Sequence, residues 1–267
     1  MAAQLLALTP AADECDRQSF LNEAFDMGNL RIGLSVVCTV LTLSPVPCAA
    51  GGPKAVTELF TAEGCADCLA ADENLNKLSQ DPNILTLTFP ITYFDEEGWT
   101  DHNAQPAFTD RQVAYDARLG PLVPGAPQII INGRATSTGT NSAELSALID
   151  HNILKPPCTA TIEGSRVTVG KGTAPFEGAD IWLVGYSPNI ENIVVGGGRN
   201  IGRTIGNAGL VRSLALLGRW SGETLSFEVP EAGSWKQAIL IQTGNGGPIL
   251  AATTLQDQPA RLTAAFH

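Results

Sequence analysis

Val56-Thr-Glu-Leu-Phe60-Thr-Ala-Glu-Gly-Cys65-Ala-Asp-Cys68-Leu-Ala-Ala-Asp72 is the stretch that decides the fold. It passes from an apolar strand through a turn into a Cys-x-x-Cys pair. A helix to Leu78 follows, with Leu69, Leu75 and Leu78 on its inner side. A thiol at a helix amino terminus meets unpaired backbone N–H groups and the positive end of the helix dipole, and both favour thiolate. Cys65 is therefore the expected exposed nucleophile. Cys68, one turn on and more buried, is placed to attack a mixed disulfide and release the substrate.

Three readings of this pair stay open: a redox dithiol, an inert structural disulfide, and half of a zinc site. A two-residue loop at a helix start favours a reducible bond over a structural one. Zinc needs two further ligands, from Cys158, His102, His151 or His267. No metal and no other cofactor is expected. Asp67 stands between the cysteines without a His to assist them, and its carboxylate opposes thiolate formation. The pair is thus expected to lean towards reductant or isomerase. Cys158 has no evident partner and reads as a buried free thiol.

Around this centre, residues 54–153 alternate strand-like and helix-like runs. Ala55–Phe60, Ile84–Phe94 and Gln128–Asn132 read as strands, and Ala107–Leu119 and Ser142–His151 as helices. That rhythm predicts an α/β layer with a partly parallel sheet. Lys155-Pro156-Pro157 breaks the pattern, and residues 158–258 read as a small, mainly antiparallel β domain. Its expected strands are Arg166–Val169, Ala179–Tyr186, Ile193–Val195, Leu225–Val229, Trp235–Thr243 and Ile249–Leu255, with a helical patch at Gly209–Leu217.

Val123-Pro-Gly-Ala126-Pro127 leads directly into the apolar run Gln128-Ile-Ile-Ile-Asn132-Gly133. With the dithiol, this arrangement resembles the thioredoxin fold. The chain is similar, more specifically, to exported bacterial thioredoxin-like proteins grouped as a domain of unknown function. The similarity is carried by Glu58–Cys68, Gly98-Trp99-Thr-Asp101, Pro106–Tyr115, Pro127–Gly133, Gly198–Thr204 and Leu217–Gly222. It implies an α/β thioredoxin-like domain followed by the β domain. It also implies that Pro127 is a cis-proline opposite the dithiol, with Ala126 and Pro127 shaping a substrate groove. The expected activity is thiol–disulfide exchange with protein thiols or disulfides. The alternative is a binding module that keeps an inert disulfide. The chain departs from the family at Leu69-Ala70, where prolines are usual, and at Pro90–Asp95, where a His and an Asp are replaced. The second strand is left without an obvious proton carrier.

Trp99, Asp101, His102, Arg111 and Tyr115 follow the second strand, where inserted material can shield a dithiol or simply pack. Arg199, Arg203, Arg212 and Arg219 form a positive island in Asn192–Gly222, which holds no Asp or Glu. Arg203 and Trp99 are the expected shielding residues. Gly196-Gly-Gly198…Gly202 lacks the spacing of a phosphate loop.

The remaining features bound the function class. The chain has 267 residues, 16 Lys+Arg against 27 Asp+Glu and a net charge of −11, with 44% hydrophobic residues. This excludes a mostly disordered chain and argues against nucleic acid as a partner. Met27–Ala50 reads as a secretory signal, with Arg31 as its positive head, Ile32–Leu43 as its apolar core and a small-residue cleavage zone before Ala50. Translation is then expected to start at Met27, with residues 1–26 a mis-assigned start, and the mature chain to be periplasmic or secreted. The apolar run is too short to span a bilayer, so no stable membrane insertion is expected after cleavage.

Overall fold

Every residue from Ala55 to Thr61 is buried, and these seven form β1. Such a run suits a strand covered on both faces. The computed structural model describes residues 52–120, 125–231 and 233–255. The Met27–Ala50 segment, Val123–Pro124 and His267 lie outside the described residues.

From β1 the chain crosses through α1 (Leu69–Leu78) to β2 (Ile84–Pro90), which pairs with β1 in parallel. After α2 (Pro106–Leu119), β3 (Gln128–Ile131) returns antiparallel on the other edge of β1, and β4 (Ala135–Ser137) completes the order β2-β1-β3-β4. Pro106 sits in the first turn of α2, where its missing N–H costs nothing. Asn141 caps α3 (Ser142–His151) by accepting from the N–H groups of Ala143 and Glu144.

The second half contributes β5 (Ala160–Glu163), β6 (Arg166–Val169), β7 (Ala179–Tyr186), β8 (Glu191–Val194), β9 (Thr204–Asn207), β10 (Val211–Trp220), β11 (Leu225–Glu228), β12 (Lys236–Thr243) and β13 (Ile249–Thr254). They build a sheet of order β10-β7-β12-β13, a sheet of order β11-β6-β5 and a β8–β9 hairpin, all antiparallel.

Alternation along β7 and β12 explains their continuous apolar runs. Ile181, Leu183, Ile239 and Ile241 face one core, with Val167, Val169 and Trp220. Val184, Tyr186, Ala238 and Leu240 face another, with Phe60, Phe89, Phe108 and Tyr115 from the first half. A third core lies between β1, β3, α1 and α3, around Leu59, Leu75, Ile129, Leu145 and Ile149. One hydrophobic layer therefore runs across the Pro156-Pro157 break.

The expected α/β thioredoxin-like domain followed by a small β domain is corrected by this architecture. The described residues are mostly β, in several small sheets, with three short α-helices. A single parallel pairing stands against eight antiparallel ones. The physical reason is that only β1-α1-β2 makes a parallel crossover, and every later strand turns back on its neighbour. The helix expected at Gly209–Leu217 is also corrected. Gly209 has φ +60° and presses on the Thr86 carbonyl, and the residues after it extend along β7 as β10.

Candidate functional site

β1 ends at Thr61, and Cys65 follows in an extended conformation before a single 3-10 turn, Ala66–Cys68, that runs into α1. Cys65 and Cys68 are joined by a disulfide. The carbonyl oxygen of Ala126 lies 3.7 Å from Cys65 Sγ. The Ala126–Pro127 peptide is cis, and Pro127 leads into β3. The structure thus brings Cys65, Cys68, Ala126 and Pro127 into one neighbourhood.

Exposure is where the sequence reading needs correction. Cys65 is 2% exposed and Cys68 0%, so neither sulfur stands open to solvent. Both sit in the core with Phe60, Phe89 and Ile91, and the tip of the β8–β9 hairpin, more than a hundred residues away in the chain, is fastened to the loop that carries Cys65. Asn200 donates to the carbonyls of Glu63 and Cys65, both at 2.9 Å. Asn76 of α1 holds the hairpin's far strand, donating to the Gly206 carbonyl and accepting from Ala208 N–H, each at 2.9 Å. Val194 and Ile201, both 67% exposed, are apolar residues on the hairpin's outer side.

Trp99 is part of this fastening. Its indole N–H donates to Glu63 Oε2 at 2.6 Å, and its ring lies against Gly196 and Gly197. A β-carbon on Gly196 would come within 2.5 Å of Trp99 Cζ3, which accounts for the glycine run as close packing. Gly196→Ala is accordingly expected to prise the hairpin from Trp99 and speed reduction of the disulfide by dithiothreitol several-fold, measured by thiol labelling of the folded protein. An unchanged rate would remove the hairpin from control of access.

Beside the disulfide lie three buried acids. Glu63, Asp72 and Asp101 line one small cavity with Thr61, Ile193 and Ile205. Burial first, then hydrogen bonding from Thr61 in the opposite sense and the nearby Asp101 and Glu73 charges, leave the Asp72 carboxyl raised to about 7. Asp101 is raised to about 6, by burial and then by Glu63. Asp72 sits four residues after Cys68 on α1, on the same helical face.

The other residues singled out from the sequence separate. Arg203 has an exposed side chain, and its backbone closes the hairpin turn through Asn200 and Val195. Arg212 pairs with Glu191 and Asn103 and lies 5.1 Å over the Trp235 ring. Arg111 and Tyr115 bind Glu58 of β1: Arg111 Nε donates to Oε1 at 2.7 Å and the Tyr115 hydroxyl to Oε2. Cys158 is a free thiol in the core between the two antiparallel sheets, and burial pushes it up to about 11. Among the described residues no three His, Cys, Asp or Glu side chains are grouped to hold a metal.

Sequence reasoning missed Glu58, Glu63, Asp72 and Asn200. For Glu58 a signal exists: it is an acid within a run, Ala55–Thr61, that is buried throughout. Asn200 carries none, because its partners are set by long-range packing.

Over residues 56–242 the chain matches a family described as protein of unknown function (DUF1223). A crystal structure of protein AGR_C_4864 from Agrobacterium tumefaciens is similar, at 26% identity and a TM-score of 0.66, over 80% of this chain and 99% of that one. HBP35 of Porphyromonas gingivalis shares fold similarity at 15% identity and a TM-score of 0.50, over 82% of this chain and 79% of that one. No curated protein matches.

Proposed function

The chain belongs to the DUF1223 family, and because that family's description assigns no activity, we propose one from geometry: thiol–disulfide exchange with protein thiols or disulfides. The observation that carries it is the Cys65–Cys68 disulfide at a helix start, with the Ala126 carbonyl against Cys65. In the oxidising direction a substrate thiolate attacks Cys65 Sγ. The Cys65–Cys68 bond breaks, and Cys68 leaves as a thiolate that takes up a proton. A second substrate thiolate then attacks its own sulfur in the mixed disulfide and expels Cys65. The substrate loses two electrons and two protons, and the pair gains them. The reducing direction is the same sequence reversed. Ala126 and Pro127 would guide the substrate backbone past Cys65. Asp72, one helical turn beyond Cys68 and protonated near neutrality, supplies the proton carrier that the second strand lacks. Export is part of this proposal and rests on the Met27–Ala50 pattern.

A second reading has its own support. Burial of both sulfurs suits a partner-binding module with an inert disulfide. Cys68→Ser separates the two. The oxidoreductase is expected to accumulate proteins linked to Cys65 that dithiothreitol releases, and none in the Cys65→Ser, Cys68→Ser double variant. A folded Cys68→Ser protein with an unreactive Cys65 and no adducts would leave only the binding module.

A further inference from the structure

We propose that a cavity between α2 and the β10-β7-β12-β13 sheet binds a small, uncharged planar molecule with a carboxamide or lactam edge. The cavity holds about 350 Å³ and is lined by Arg111, Ala114, Tyr115, Trp182, Leu214 and Gln242. That volume lies in the range of small-molecule sites. Nothing in the exchange chemistry uses it, and it shares no lining residue with the acid cavity beside the disulfide.

Hydrogen-bond capacity left over at its floor decides the ligand. The Arg111 side chain is 5% exposed. Its Nε donates to Glu58, and one Nη2 proton goes to the Tyr115 hydroxyl at 3.0 Å. Among the described residues the other N–H groups of the guanidinium make no hydrogen bond. Gln242 gives its amide protons to the Tyr115 hydroxyl at 2.9 Å and to the Gly247 carbonyl at 2.8 Å. Its Oε1 accepts from no described residue. Both side chains adjoin the same phenolic oxygen, so a donor and an acceptor sit side by side. A planar amide presents the complementary acceptor and donor.

Charge disfavours the obvious rival, a carboxylate. Glu58 already balances Arg111, and Asp110 and Asp180 stand among the lining residues. A second anion would meet these acids with Arg111 already paired, the other cations nearby being Arg118, bound to the Asn245 carbonyl, and Arg219, beside Asp180. The apolar wall is made by half-buried Trp182, whose ring lies 5.6 Å from the Arg111 guanidinium carbon, with Leu214 beside it. Such a wall suits the face of a flat ring.

Nicotinamide, a ring bearing one carboxamide, is the probe, and nicotinate, the same ring bearing a carboxylate, is the control. Titration into the full protein, followed by saturation-transfer NMR, is expected to give a saturable nicotinamide Kd near or below about 1 mM. Nicotinate should bind at least about tenfold more weakly, and Asp180→Asn should narrow that gap. Nuclear Overhauser contacts from nicotinamide to Trp182 and Leu214 are expected in the unaltered protein, and Trp182→Leu should weaken binding about tenfold. No saturation up to roughly 20 mM, nicotinate binding as well as nicotinamide, or contacts to other residues would each overturn the site. None of these outcomes depends on Cys65 or Cys68.

Discussion

Asp72→Asn is expected to raise the melting temperature at pH 8 and to leave it unchanged at about pH 2.5. The carboxyl is 3% exposed and is held at about 7, against 3.8 for an unburied Asp. Well below pH 3.8 folded and unfolded chains both carry it protonated, so Asp and Asn are equivalent. Between pH 4 and 7 the unfolded chain releases the proton and the folded chain keeps it, so stability falls as pH rises. Above pH 7 the full penalty of a buried charge is present. About three pKa units at about 1.4 kcal/mol each put that penalty near 4 kcal/mol. Asn keeps the shape and removes the titration, which should raise the melting temperature by roughly 5–10 °C at pH 8. Asp101, raised by burial and by Glu63, adds to the loss in the same window. Equal melting temperatures for the two proteins at both pH values would show that Asp72 has the same pKa in the folded and unfolded chains.

Arg111→Met should destabilise the protein by about 3–5 kcal/mol, read as a lower urea midpoint at pH 7. Glu58 is 0% exposed, and the substitution leaves its carboxylate buried without its cation. Burial works against the charge on Arg111, but Glu58 and Tyr115 outweigh it and hold the guanidinium pKa above its usual value. Burial raises the Tyr115 hydroxyl well above its usual value, so it stays a donor to Glu58. Removing both charges, as Glu58→Gln with Arg111→Met, should recover most of the loss, because no unpaired ion remains. A cost below about 1 kcal/mol for Arg111→Met would mean that water reaches Glu58.

These two acids mark the limit of what the sequence could reveal. Ser142–His151, Arg166–Val169 and Ala179–Tyr186 form with the expected bounds, because their periodicity or continuous apolar character is local. Gly209–Leu217 misleads for the opposite reason. Its Leu-Ala-Leu-Leu run suits a helix, but pairing with β7 imposes a strand. The overall balance of α and β also depends on such pairing, since β4, β5 and β9 are too short to stand out. Cys65 and Cys68 are legible as a pair. Their burial is not, because the core that holds them draws on distant residues such as Val184, Val211 and Leu240. Asp72 looks like an ordinary helical acid until its face of α1 is known.

The central claim is that Cys65 and Cys68 exchange bonds while the protein stays folded. Equilibrating the native protein with glutathione buffers, counting free thiols by alkylation and mass spectrometry, and following the fold by circular dichroism tests it most directly. Both thiols are expected to appear together, with the fold intact, as the buffer is made more reducing than a midpoint that lies above about −300 mV. A bond that stays closed until denaturant is added would contradict it.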